Sequence, residues 1–277
     1  MSSDGPYMPP ESALLLLNPQ TKRLVLNRRG STVWEVTTDF GPYAVKVGYP
    51  TTVHAWTALA PAREAAVLRQ LTSERILSGE WEHGTWSAQP WRKGDSLYEL
   101  WEPYRFEKEP PAPSLDEALS CAVALAALHE KGWVHGDVQP AHFIVGQSAG
   151  TFLIDLALAR GGRVPRAYDF PYRGCLVHYE APEISASVLE FGTATPTREA
   201  DVYALGAALF ISATGWRHVD YPDDAPRPVQ RQAIVKGPHR PVNVPGVLGD
   251  LIDQMLSPDP ADRPTCAEVC ESLTSAR

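Results

Sequence analysis

Apolar positions in the first third of the chain come in short runs with polar punctuation. Leu24-Val25-Leu26, Val33-Trp34-Glu35-Val36 and Tyr43-Ala44-Val45-Lys46-Val47 are separated by Arg28-Arg29-Gly30 and Asp39-Phe40-Gly41-Pro42. This predicts a β-rich stretch from Leu14 to Val47 with hairpin turns at the breaks. Over 61–72 the pattern becomes helical: Ala65, Leu68 and Leu71 share a face, and Pro61 suits the first turn. Two more strand-like pieces follow, Thr85 to Gln89 and Ser96 to Trp101. Residues 105–113 carry four charged residues and three prolines, which reads as a connector.

The texture then changes. Ser114-Leu115-Asp116-Glu117 has the form of a capping box, and the helix it opens ends at Gly132. Short strands are predicted at Phe143 to Val145 and Thr151 to Ile154, and irregular chain from Ala157 to about Ile184. Helical periodicity returns over 199–214, over 247–256 and from Ala267. The expected organisation is a loose tail (1–12), a β-rich N-terminal lobe (13–104), the connector (105–113) and a mainly helical C-terminal lobe (114–277).

Composition narrows the function classes. The chain has 277 residues, 44% of them hydrophobic, so it can bury a sizeable core. A formal net charge of −8 argues against a general nucleic-acid binder. No apolar run is long enough to span a bilayer, and MSSDGPYMPPES has no basic n-region of a signal peptide. Four cysteines do not form a disulfide scaffold at this length, and Cys266 and Cys270, four apart, are one helix face. The expected location is the cytoplasm, with no membrane and no nucleic-acid partner.

The chemistry concentrates in Val-His-Gly-Asp-Val-Gln-Pro-Ala-His-Phe-Ile-Val, residues 134–145. Asp137 falls between a helix and a buried strand, and 18 residues later Asp155 ends the apolar run Phe152-Leu153-Ile154. Two such carboxylates can converge, one orienting a hydroxyl as base and the other holding a divalent metal. The alternative is two loop caps.

Taken with five other segments, this stretch resembles the protein-kinase-like family over roughly Leu24 to Leu273. Tyr43-Ala44-Val45-Lys46 is similar to the family's VAIK strand and His135-Gly136-Asp137 to its HRD loop. Asp155-Leu156-Ala157 stands in the place of DFG. Tyr179-Glu180-Ala181-Pro182-Glu183, Asp201 to Gly206 and Asp262-Arg263-Pro264-Thr265 match later landmarks. The resemblance implies an α+β, bilobal fold with one key helix in the N-terminal lobe. It implies ATP and Mg²⁺ (or Mn²⁺) as cofactors. Lys46 would hold phosphates and pair with Glu64. Asp137 would be the base, with Gln139 beside it, and Asp155 would bind metal. Val33, Ala44 and Ile144 align with adenine-contacting positions. His135, Glu183, Asp201 and Arg263 would be structural, with Glu183 and Arg263 paired. Aminoglycoside-type kinases share the HGD loop, but the last three motifs are not expected in them.

The departures are also specific. His142 stands where the family has a metal-binding Asn, and imidazole suits softer ions than Mg²⁺. Gln139 replaces a phosphate-contacting Lys, and Gly136 the HRD arginine. Only Gly30, with Ser31, remains of a phosphate-cradling glycine loop. From Leu156 to His178 there is no Ser or Thr. The segment carries Arg160, Arg163, Arg166 and Arg173, which would bind an acidic substrate or partner or simply neutralise a solvated loop. The expected function is phosphoryl transfer from ATP to a Ser/Thr hydroxyl of a protein or peptide. A narrower version is peptide natural-product maturation with a partner lyase, as in lanthipeptide or thioamitide pathways. The alternatives are a pseudokinase scaffold and a small-molecule kinase.

Overall fold

The computed structural model describes residues 7–52, 55–106, 112–146 and 150–277. Two compact units emerge. The first comprises the chain up to Trp91 together with 156–158 and 162–170; the second holds the remainder.

In the first unit, α1 (Glu11–Leu17) precedes β1 (Thr21–Arg28), β2 (Ser31–Thr38) and β3 (Gly41–Gly48). Then come α2 (Ala60–Leu71), β4 (Leu77–Trp81) and β5 (Gly84–Pro90). The strands form an antiparallel sheet in the order β1-β2-β3-β5-β4. Alternation sorts its faces. Trp34, Val36, Tyr43, Val45, Val47, Trp86 and Ala88 form a core with Ala13 and Leu17 of α1. Val33, Ala44 and Lys46 point to the opposite face. The strand-like reading of Leu14 onward is corrected: residues 11–17 are helical, with Ala13 and Leu17 buried and Leu15 and Leu16 exposed. Four consecutive leucines have no period, so the pattern could not separate helix from strand. The expected tail, 1–12, includes 1–6, which lie outside the described residues, and its last two residues open this helix.

The second unit opens with β6 (Asp95–Ser96), α3 (Leu97–Leu100) and α4 (Glu102–Phe106). Of the expected strand 96–101, only Ser96 pairs in a sheet, and Leu97–Leu100 are a turn of helix. Ser96-Leu97-Tyr98-Glu99 is itself a capping box, with Ser96 Oγ accepting the Glu99 N–H and Glu99 accepting the Ser96 N–H. Of the expected connector, 107–111 lie outside the described residues.

α5 (Leu115–Glu130) starts at Ser114, whose side chain accepts the Glu117 N–H; Glu117 turns instead to the Trp101 indole, 2.6 Å away, so only half the expected box forms. β7 (Phe143–Gly146) and β8 (Gly150–Leu153) join β6 in a three-stranded sheet. The remaining helices are α6 (Pro182–Phe191), α7 (Arg198–Thr214), α8 (Arg227–Lys236), α9 (Gly246–Met255) and α10 (Cys266–Ser275). α7 is buried on almost every side, as a core helix must be when its apolar residues surround it. Gly206 lets α9 approach: a Cβ there would lie 2.8 Å from Cβ of Met255. All four cysteines are free thiols. No helix among the described residues is long and apolar enough to cross a membrane.

The chain therefore has an antiparallel β-rich N-terminal unit and a helical C-terminal unit, the α+β organisation that the resemblance implies.

Candidate active site

The loop after α5 is tied down from below by Asp201 of α7. Its Oδ2 accepts the His135 N–H (2.6 Å) and its Oδ1 the Gly136 N–H (2.9 Å), and His129 Nε2 lies 3.0 Å from Oδ2. Asp201 is 2% exposed, so this carboxylate is held by donors rather than by water. The Gly136 carbonyl accepts the buried Tyr172 hydroxyl (2.8 Å).

His135 is fully buried, and burial, then the neighbouring His142, lowers its pKa to about 4. It is neutral near pH 7. Its Nδ1 accepts the Asp137 N–H (3.2 Å), so Nε2 carries the proton and donates to the Ile154 carbonyl (3.0 Å). The ring thereby links the Asp137 loop to the residue before Asp155.

Asp137 sits at the end of this scaffold. Its Oδ2 accepts from Gln139 Nε2 (3.3 Å), while Oδ1 is buried without a hydrogen-bond partner among the described residues. Burial, reinforced by Asp155 and opposed by His142, pushes its pKa up to about 6. A carboxylate with one committed and one uncommitted oxygen is equipped to receive a hydroxyl.

His142 closes the cluster. Nδ1 is 2.8 Å from the Asp137 carbonyl, which can only accept, so Nδ1 bears a proton. Nε2 is 3.3 Å from Asp155 Oδ2. Burial disfavours the charged ring, but the hydrogen bond and charge of Asp155 and the charge of Asp137 outweigh it, and the pKa is raised. Asp155 has φ 62°, a left-handed conformation that is costly for a residue with a side chain. No group of three or more metal-capable side chains occurs among the described residues. Ile144 lies on β7, opposite Ser96 of β6 and Phe152 of β8.

A second constellation belongs to the first unit. Lys46 Nζ lies 2.9 and 2.7 Å from the two oxygens of Glu64, which is 1% exposed. Glu64 Oε1 also accepts the Leu156 N–H (3.3 Å) and Gln89 Nε2 (3.4 Å). Val33 is the register partner of Lys46, and Ala44 shares their face. Gly30 and Arg29 make a two-residue turn with φ of 80° and 53°, the conformation a tight hairpin needs. This turn is not an open loop. The Gly30 carbonyl accepts the Tyr49 N–H, and a Cβ at Gly30 would lie 2.5 Å from Thr57 Oγ1. Ser31 begins β2 directly after it.

The four arginines do not form one group. Arg163 and Arg166 belong to the first unit, Arg160 and Arg173 to the second. Arg163 is held through its backbone by the Gln70 side chain (2.7 and 3.1 Å), and Arg160 pairs through its backbone with Val134. Lower in the second unit, Arg263 makes two bonds to Glu183 (2.7 and 2.8 Å) and caps three backbone carbonyls, at Ser257, Pro258 and Glu199.

A profile of the protein kinase domain matches residues 93–273, well over half of the chain. The chain belongs to the protein kinase family. It is similar to the serine/threonine-protein kinase PkaA of Streptomyces coelicolor, at 29% identity over 61% of this chain and 31% of that protein. It is similar to the mitosis inhibitor protein kinase wee1 of Schizosaccharomyces pombe, at 26% over 76% and 26%. The serine/threonine-protein kinase PknK of Mycobacterium tuberculosis matches at 32% over 58% and 14%. The chain thus spans about a third or less of the length of these curated relatives.

Two features of this kinase fold escaped the sequence reading. Arg63, next to Glu64 and 1% exposed, donates to the Ala157 carbonyl (2.6 Å) and Asp169 (3.4 Å), and lies 5.3 Å over the Phe170 ring. Glu180, also 1% exposed, is clamped by Arg231 of α8 (2.6 and 2.9 Å), Ser185 and the Cys175 N–H. The only sequence signal for Arg63 is a charge on the apolar side of a helix.

Proposed function

We propose that this protein kinase domain transfers a phosphoryl group from ATP to a Ser/Thr hydroxyl of a protein or peptide. The observation that carries the reading is Asp137: a half-buried carboxylate whose Oδ1 is buried and unpartnered among the described residues, on a loop fixed by Asp201. Asp137 orients the acceptor hydroxyl and takes its proton, while Gln139 holds the other carboxylate oxygen. Lys46, kept extended by Glu64, neutralises nucleotide phosphates, and Val33, Ala44 and Ile144 contact the base. Asp155 supplies the hard oxygen a divalent cation needs. That donor set fits metal-bound ATP, which when bound supplies the transferable phosphoryl and charge neutralisation. Arg163 and Arg166 of the first unit, and separately Arg173 and Arg160 of the second, are basic points that favour an acidic or phosphorylated acceptor. The narrower version, a peptide precursor later processed by a partner lyase in the cytoplasm, is a matter of acceptor choice.

A pseudokinase reading is favoured by one observation, the Gly30 turn packed against Tyr49 and Thr57. Incubation with ATP, Mg²⁺ or Mn²⁺ and candidate peptides, read as a phosphoryl mass gain, separates the two. The active reading expects a gain that Asp137→Asn abolishes and Lys46→Met greatly reduces. Transfer surviving Asp137→Asn would refute the base assignment. A metal-dependent thermal shift with ATP, without transfer to any acceptor, would favour the pseudokinase.

A further inference from the structure

The His142–Asp155 pair poses a ligand question that hydrogen bonding alone does not settle. Nδ1 of His142 is committed as a donor to the Asp137 carbonyl, which aims Nε2 at Asp155 Oδ2, 3.3 Å away. With Nδ1 protonated, the Nε2 lone pair of the neutral ring faces a carboxylate, and something positive must lie between them: a proton or a metal ion. A ring whose far nitrogen is fixed on a carbonyl is the usual setting of a metal-bound histidine. Neighbouring ligands of one octahedral ion, each about 2.1–2.2 Å from it, are roughly 3 Å apart, close to the observed separation. Asp155 is itself held in a left-handed backbone conformation that directs its carboxylate.

We propose that His142 Nε2 and Asp155 Oδ2 jointly ligate one divalent first-row transition ion, making this site prefer Mn²⁺-type ions over Mg²⁺. Imidazole is a good donor to transition ions and a poor one to Mg²⁺, which keeps oxygen ligands and water. The pair supplies two positions, and nucleotide phosphate oxygens and water fill the rest. The inference rests on the phosphotransferase reading only in taking Asp155 as a metal carboxylate.

The test uses tag-free full chain labelled with ¹⁵N-histidine, Mn²⁺ and β,γ-methylene-ATP, read by pulsed electron paramagnetic resonance. A ¹⁵N coupling of directly bound imidazole is expected, and it is lost in His142→Asn and His142→Gln, with folding of both checked by circular dichroism. In parallel titrations the ratio of Mn²⁺ to Mg²⁺ affinity falls at least about tenfold in either variant. No ¹⁵N coupling in the wild-type chain, with Mn²⁺ binding still dependent on Asp155, overturns the proposal and leaves the metal role of Asp155 standing: the bridge is then a proton. Mn²⁺ binding unchanged in Asp155→Asn overturns both.

Discussion

Replacing Asp137 by Asn should make the protein more stable while abolishing transfer. The carboxyl is raised from 3.8 to about 6, chiefly by burial, and Oδ1 lacks a partner. Such a raised value costs the folded state up to about 3 kcal/mol once the carboxylate is ionised both folded and unfolded. The side chain is 17% exposed, so the usable part is roughly 1–3 kcal/mol. An Asn can keep its oxygen on the Gln139 amide, and its neutral NH₂ costs less to bury without a partner than a charged carboxylate oxygen does. The gain must also follow pH. Above about 6 the full cost of Asp137 is present. Between 6 and 3.8 the folded protein takes up the proton first, and the advantage of Asn shrinks, to about a third by pH 4.5. Below 3.8 both states are neutral and the advantage is gone. Urea denaturation followed by tryptophan fluorescence at pH 7.5, 6.0 and 4.5 measures it. A loss of stability at pH 7.5, or a gain that does not vary with pH, would refute the reasoning.

Asp201→Asn turns one acceptor of the loop anchor into a donor facing an N–H and should cost about 4 kcal/mol in urea denaturation; a cost under about 1 kcal/mol would mean the loop is held otherwise. His218 is held neutral, with its pKa lowered to about 4 by burial and by His239, so the stability it contributes is present above about 6.5 and lost as pH falls toward 4. His218→Phe should therefore flatten the fall in Tm between pH 7 and pH 5, and an unchanged slope would exclude His218 as a source. Arg63→Met removes the bonds to Ala157 and Asp169 and should speed amide exchange in 162–170 at least about tenfold; unaltered protection would show that the segment is held without it.

How much of this was legible in the sequence depended on the range of each interaction. Helices α2, α5 and α7 and strands β2, β3 and β5 carry their period in consecutive residues, so pattern reading places them. α1 and α3 failed for local reasons, an unbroken leucine run and a helix one turn long. α6 and α8 were not singled out at all. Within the candidate site, residue types and their order were legible, and roles came through resemblance. The contacts that make the site specific were not. Arg63 meets Asp169 across 106 positions and Glu180 meets Arg231 across 51, distances at which no periodicity operates. The orientation of His142, with one nitrogen spent on a backbone carbonyl, is likewise a property of three-dimensional placement.

The clamp at Arg63 has one more consequence. Its acidic partner is the aspartate at 169, whose charge is written in the gene and not added by another enzyme. Between Leu156 and His178 no Ser or Thr offers a hydroxyl to a kinase, Tyr172 is buried, and the Tyr168 hydroxyl is engaged with Glu80. A phosphatase would find nothing on Asp169 to erase. Within 156–178, the charge that holds Arg63 is therefore permanent, present from the moment the segment folds.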